Sequence, residues 1–178
     1  MSSLSAVIAT PLASLEKPGV PHGIAEITAA FGDITEYIKS DGTLDPRWGA
    51  EMLGVAASPF RLMLSFAPTK TITHFSCHKR LIEVFQNAFT RIQSSGMQTS
   101  ITSFGGCFAF RRQRTGARLS THSWGIAIDL NPESNAQGTD GRMDAELVKL
   151  FQDAGFEWGG NWHGKTKDPM HFQFCTGY

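Results

Sequence analysis

The 178-residue chain has no charge excess of either sign, since 16 Lys and Arg are matched by 16 Asp and Glu. With no basic stripe interleaved with aromatics, nothing points to nucleic acid as a partner. No apolar run approaches the roughly 20 residues that cross a bilayer, so no membrane anchor is expected. The opening Met1-Ser2-Ser3-Leu4-Ser5-Ala6-Val7-Ile8-Ala9 lacks a basic start, and its weak apolar stretch is cut by Pro11, which argues against an export signal. Cysteine is scarce. Cys77, Cys107 and Cys175 cannot all pair within one chain and fall in no C-x-x-C spacing, so a disulfide framework and a cysteine zinc site are both disfavoured. They read as packing thiols of a reducing compartment. The apolar fraction of 41% suits an ordinary single domain, and there is no repeat or low-complexity tract. Residues 1–20, rich in Ser, Ala and Pro, read as an extension ahead of a domain spanning 21–178. A monomer made in the cytoplasm is the expectation.

Periodicity supplies the elements. Ile24, Ile27 and Phe31 have helical spacing between Gly23 and Phe31. Asp41-Gly42, Asp45-Pro46 and Ser58-Pro59 mark a loop-rich middle. Phe60, Leu62, Leu64 and Phe66 alternate with polar or flexible residues, which predicts a strand ending at Pro68. From Cys77 to Gln93, Leu81, Phe85, Ala88 and Ile92 form one apolar stripe, so a helix is predicted there, closed by Ser94-Ser95-Gly96. A strand over 98–103, a Gly105-Gly106 loop and a second helix over Asp144–Ala154 follow. The fold class is α+β, a small, mainly antiparallel sheet with helices on one face.

The chemistry concentrates in two segments, Ser120-Thr121-His122-Ser123-Trp124-Gly125-Ile126-Ala127-Ile128-Asp129 and Asp168-Pro169-Met170-His171-Phe172. Together they offer two imidazoles and a carboxylate for a metal and a further carboxylate to move protons; a catalytic zinc typically takes three such ligands and leaves one position for water. His122 stands seven residues before Asp129, which would place them on opposite faces of an unbroken strand, so the chain must turn between them, most readily at Gly125. Met170, Phe172 and Phe174 alternate with His171 and Gln173, giving a strand with a polar front that carries His171. Asp168, held ahead of that strand by Pro169, belongs in a loop.

The pattern S-x-H-x-x-G-x-A-x-D followed by D-x-M-H-F, with Phe156-Glu157-Trp158-Gly159-Gly160-Asn161-Trp162 upstream, resembles the zinc peptidases that include D-alanyl-D-alanine carboxypeptidases, D,D-dipeptidases and L-alanyl-D-glutamate endopeptidases of phage endolysins. The likeness is sharp from about Gly105 to Phe174 and fainter back to about Pro21. It implies a hedgehog/DD-peptidase-like fold, a catalytic domain over 21–178, Zn2+ held by His122, Asp129 and His171, and Asp168 as general base. It also implies a peptidoglycan stem peptide as substrate and, for an endolysin, access to the wall only after release from the cytoplasm. Carboxypeptidase and dipeptidase members usually carry Glu where this chain has Asp168, so the resemblance favours cleavage between L-alanine and D-glutamate. A D-alanyl-D-alanine carboxypeptidase or dipeptidase is the alternative, and a non-catalytic metal-binding recognition domain is a third reading, because the hedgehog signalling domain shares this scaffold.

Further residues have competing readings. Arg111 matches an arginine that relatives carry ahead of the S-x-H motif and is the first choice for stabilising an oxyanion, although Arg112 and Arg114 are close in sequence and the group from Arg111 to Arg118 also reads as a solvated loop. Ser120 is expected to hydrogen-bond near the first ligand. Trp162 and His163 are candidate cleft or substrate residues, whereas Trp158 and Phe156 fit the core. His74 and His78 lack the following Glu of the H-E-x-x-H arrangement and read as incidental.

Overall fold

In the computed structural model, residues 18–178 are described, so most of the extension expected over 1–20 lies outside the described residues. Helix α1 covers Gly23–Phe31, as its apolar spacing predicts, with Ile27 and Phe31 buried. Asp45 caps a short helix α2, Pro46–Met52, by accepting a hydrogen bond from the Arg47 amide, and Pro46 suits its first turn, where no amide partner is needed. Two long strands follow, β1 (Leu53–Leu64) and β2 (Ala67–His78). Helix α3 (Ile82–Ser94), strand β3 (Phe104–Gly106), strand β4 (Ala127–Leu130), helix α4 (Ala145–Asp153) and the short strands β5 (Glu157–Trp158) and β6 (His171–Gln173) complete the order. The fold is α+β. Its single six-stranded sheet runs β2-β1-β3-β4-β6-β5, antiparallel except where β1 meets β3.

Four local expectations are corrected. The strand foreseen at Phe60–Pro68 is the second half of β1; it begins at Leu53, and Ser58-Pro59 lies inside it, at a register shift between Ala57 and Leu62. There the Ser58 hydroxyl accepts from the Phe60 amide and donates to the Phe60 carbonyl. The chain does not stop at Pro68 but turns at Ser65-Phe66 and continues into β2, which is an edge strand and tolerates a residue without an amide donor. The helix foreseen from Cys77 begins at Ile82, because Cys77 and His78 are claimed by pairing with Gly54 and Leu53. The strand expected over 98–103 is instead a 3-10 turn, Met97–Ser100, and an extended link. The link is held by Asn131, whose Oδ1 accepts from the amides of Thr102 and Ser103 at 2.7 and 3.1 Å. The glycine pair expected in a loop belongs to β3.

The core joins the apolar face of α3 to β1 and β2 through Phe75, Phe85 and Phe89, then passes through Phe151, Phe156, Phe172 and Phe174 under the last two strands. Cys77, Cys107 and Cys175 are all free and buried, and burial pushes their thiols well up from the ordinary range, so they act as packing groups. His78 is also a core residue; its Nε2 donates to the Phe31 carbonyl at 3.1 Å and burial lowers its pKa to about 4. Among the described residues no helix is long and apolar enough to cross a membrane.

Candidate metal centre

Ser120 ends an extended stretch and opens a 3-10 turn, Thr121–Trp124, by accepting a hydrogen bond from the His122 amide. The turn closes at Gly125, whose φ of 70° is left-handed, and a Cβ there would lie 2.8 Å from the His78 amide nitrogen. Only glycine fits both the angle and the space. This reversal brings His122 back over β4, as the odd spacing to Asp129 requires. Asp129 and His171 sit directly opposite one another on the antiparallel strands β4 and β6 and therefore share a face. Gly105 completes the approach, because a Cβ there would come within 2.9 Å of the Asp129 Cβ.

The three side chains converge and all are buried. Asp129 Oδ1 lies 3.1 Å from both His122 Nε2 and His171 Nδ1, and the two nitrogens are 3.2 Å apart. Ligand atoms bonded at 2.0–2.1 Å in a tetrahedron are separated by about 3.3 Å, so the triangle matches one face of a four-coordinate zinc site.

The proton inventory strengthens the fit. His122 Nδ1 faces the Cys107 carbonyl at 2.6 Å and must carry the proton, since a carbonyl only accepts; Nε2 is left with a lone pair. Gln173 sends its amide NH2 to Glu157 Oε2 at 2.9 Å and to the Cys175 carbonyl, which turns its Oε1 toward His171 Nε2 at 3.1 Å. His171 Nε2 therefore donates, with the Thr121 hydroxyl donating to the same Gln173 oxygen, and Nδ1 is bare. Two lone pairs and a carboxylate oxygen then face one another at about van der Waals separation or less. Such a cluster repels itself unless a proton or a cation sits among the three, so the site can hold a metal ion. In the metal-free protein, burial works against ionisation of Asp129, but the flanking His122 and His171 overcome it and keep its carboxyl well below the usual range. Burial likewise works against protonation of His171, yet the hydrogen bond and charge of Asp129 raise its pKa.

Asp168 lies in the loop before β6, as Pro169 predicts. Its backbone is tied down, with its amide donating to the Gly159 carbonyl at 2.9 Å and its carbonyl accepting from the His171 amide at 3.0 Å. The expectation of a mobile loop carboxylate is thus narrowed to the side chain alone. Its Oδ1 is buried with no hydrogen-bond partner, and burial pushes the carboxyl up to about 6. An unpaired carboxylate that titrates close to neutrality is suited to accept and return a proton.

Arg111 directs its guanidinium to within 4.0 Å of Asp129 Oδ2. Arg114 also lines the cleft and its charge lowers the Asp168 pKa, whereas Arg112 turns away to the Ala117 carbonyl. Trp162, half-buried, forms the cleft wall with its ring 5.4 Å from that of His171, and exposed His163 stands on the same rim. Trp158 donates to the Pro169 carbonyl and stacks on Phe172. It belongs to the packing, as expected. Ser120 acts on the first ligand through the backbone, and the imidazole partner is the Cys107 carbonyl. Sequence reasoning missed Cys107, Thr121, Glu157 and Gln173; only the alternation of His171 with Gln173 on one strand face hinted at any of them.

Residues 113–174 match a family model described as D-alanyl-D-alanine carboxypeptidase. The match covers about a third of the chain, and over that stretch the sequence is similar to this peptidase family. The stretch contains His122, Asp129, Asp168 and His171, with Arg111 just outside it. No curated protein and no solved structure matches the chain significantly. The mixed, mostly antiparallel sheet is consistent with the hedgehog/DD-peptidase fold that the motifs imply, with Asp129 on β4, His171 on β6 and His122 on the turn before β4.

Proposed function

We propose that this protein is a zinc peptidase that hydrolyses an amide of the bacterial peptidoglycan stem peptide, in the manner of the D-alanyl-D-alanine carboxypeptidase family whose model residues 113–174 match. The observation that carries the reading is the buried triangle of His122 Nε2, Asp129 Oδ1 and His171 Nδ1, all acceptors, next to an unpaired carboxylate. When bound there, zinc supplies a Lewis acid and lowers the pKa of water to about 7. Asp168 takes the proton of the attacking water as its oxygen bonds to the amide carbon, and delivers a proton to the departing nitrogen as the C–N bond breaks. Arg111 donates to the carbonyl oxygen as it gains negative charge. Ser120 and the Cys107 carbonyl fix the His122 ring, and Trp162 and His163 bound the space beside the reacting amide.

A second reading, cleavage between L-alanine and D-glutamate, is favoured by the identity of Asp168, which the endopeptidase relatives share. Mass spectrometry of purified peptidoglycan digested by the zinc-loaded protein separates the two. Released D-alanine supports the carboxypeptidase, and new amino groups on D-glutamate support the endopeptidase. If the zinc-loaded wild type and Asp168→Ala are equally inert, the peptidase reading fails and a metal-dependent recognition domain takes its place.

A further inference from the structure

Between Arg111 and Ser120 the chain makes a hairpin, in which Arg112 bridges Leu119 and the Gln113 amide donates to the Arg118 carbonyl at 2.9 Å. Its base is fixed to the turn that carries His122, since the Ser120 amide donates to the Arg111 carbonyl and the Arg111 amide to the Ser123 hydroxyl. Of the arginines on this hairpin, all but one have a partner within the protein. Arg111 reaches Asp129, Arg112 donates to the Ala117 carbonyl, and Arg118 lies over the Tyr178 ring, 5.7 Å from its centre. Arg114 forms no hydrogen bond and no ion pair among the described residues. An exposed arginine without a partner is ordinary on a surface, but this one stands at the reacting centre. It lines the space that holds Asp168, Trp162 and His171 as well as the space that holds His122 and Asp129, and its charge lowers the Asp168 pKa against the effect of burial. The other carboxylate lining the first space, Glu157, is taken by the Gln173 amide at 2.9 Å.

What this cation meets follows from the bond to be cut. In D-alanyl-D-alanine the departing nitrogen belongs to a residue whose Cα carries the free terminal carboxylate. In the L-alanyl-D-glutamate bond it belongs to a D-glutamate that is joined onward through its side-chain carboxyl, so its α-carboxylate is free as well. Either amide therefore brings a carboxylate one carbon away from the nitrogen that Asp168 protonates, next to a residue that itself bears negative charge before it takes up the proton. Two like charges this close repel unless a cation stands by them, and a guanidinium offers a carboxylate two parallel N–H donors. We infer that Arg114 is a specificity-determining residue that pairs with the free α-carboxylate of the leaving-side D-residue, so that substrates in which this group is amidated are disfavoured. The assignment rests on the peptidase reading and holds for either of its two bonds.

Arg114→Gln and Arg114→Lys are the test, since an exposed side chain with no partner in the protein can be changed without disturbing the fold. Wild type and variants, all zinc-loaded, are assayed on pairs of peptides that differ only in whether the α-carboxyl of the leaving-side residue is free or a carboxamide. One pair is L-alanyl-γ-D-glutamyl-lysine and its α-amide, and the other is a peptide ending in D-alanyl-D-alanine and its terminal amide. Amidation also alters the departing amine, so the quantity read is the acid-over-amide preference in kcat/KM of the wild type divided by that of the variant. Loss of charge-assisted hydrogen bonds sets this quotient at roughly 10- to 100-fold for Arg114→Gln, and lower for Arg114→Lys, which keeps the charge but not the planar fork. A quotient near one overturns the assignment, whether neither substrate is affected or both lose equally; equal loss assigns the effect of Arg114 to Asp168 instead. If the wild type cleaves neither pair, the peptidase reading fails, and the same quotient in Kd, from calorimetry of the acid and amide peptides, decides the subsite. A quotient well above one then supports it, and a quotient near one overturns it.

Discussion

Asp168→Asn should destroy turnover while making the metal-free protein more stable at neutral pH. The carboxyl of Asp168 is raised to about 6 because burial strips water from it, and its Oδ1 has no partner to compensate. Relative to an ordinary Asp near 3.9, two pKa units correspond to about 3 kcal/mol. Partial exposure lets solvent screen the charge and reduces this to about 1–2 kcal/mol. The folded state holds this proton more tightly than the unfolded chain, so the metal-free wild type loses stability as pH rises from about 4 to about 6 and stays lower above that. An amide carries no such penalty. Thermal melts in chelator should therefore show the variant about 2–6 °C above wild type at pH 7.5, with the two converging at pH 4. Zinc loading should shrink the difference, because a divalent charge draws the wild-type carboxyl back toward ionisation. In the zinc-loaded protein, loss of the base should cost about 10²–10⁴ in kcat with zinc stoichiometry retained. A variant that melts at or below wild type at pH 7.5, or that loses zinc, refutes the argument that the buried unpaired carboxylate is kept for proton transfer.

Four further outcomes follow from the same geometry. His171→Ala removes one corner of the triangle and should abolish stoichiometric zinc binding, as read by metal analysis after dialysis, while circular dichroism remains that of a folded protein. Gln173→Leu frees His171 to adopt the other tautomer and should weaken zinc affinity by about 10- to 100-fold in chelator competition; unchanged affinity would mean that the Glu157–Gln173 chain does not set the ring. Gly125→Ala combines a left-handed φ with a Cβ 2.8 Å from a backbone nitrogen, and should lower stability by about 2 kcal/mol or more in urea melts. Zinc binding should weaken as pH falls, and should begin to do so above the ordinary imidazole range, because protons compete for His171, whose pKa is raised in the metal-free protein by Asp129; zinc titrations at acid and neutral pH measure this directly.

Residue identity and short-range spacing, read from the sequence alone, picked out His122, Asp129 and His171 as a candidate metal-binding set, the loop position of Asp168, the helices at Gly23–Phe31 and Ala145–Asp153, and the need for a turn at Gly125. Each depends on local rules: an apolar stripe, a proline without a donor, an odd spacing on a strand. Tertiary structure decided the rest. β1 runs through Ser58-Pro59 because its partner β2 continues past the irregularity, and no local preference reveals a partner. The tautomers of His122 and His171 hang on a carbonyl at Cys107 and an amide at Gln173, the first fifteen residues distant in sequence and the second oriented by Glu157. Arg111 was separated from Arg112 and Arg114 only by where the backbone aims each guanidinium. Asp129 and His171 face one another only because β4 and β6 lie side by side, an adjacency set by sheet order and invisible in a chain read end to end.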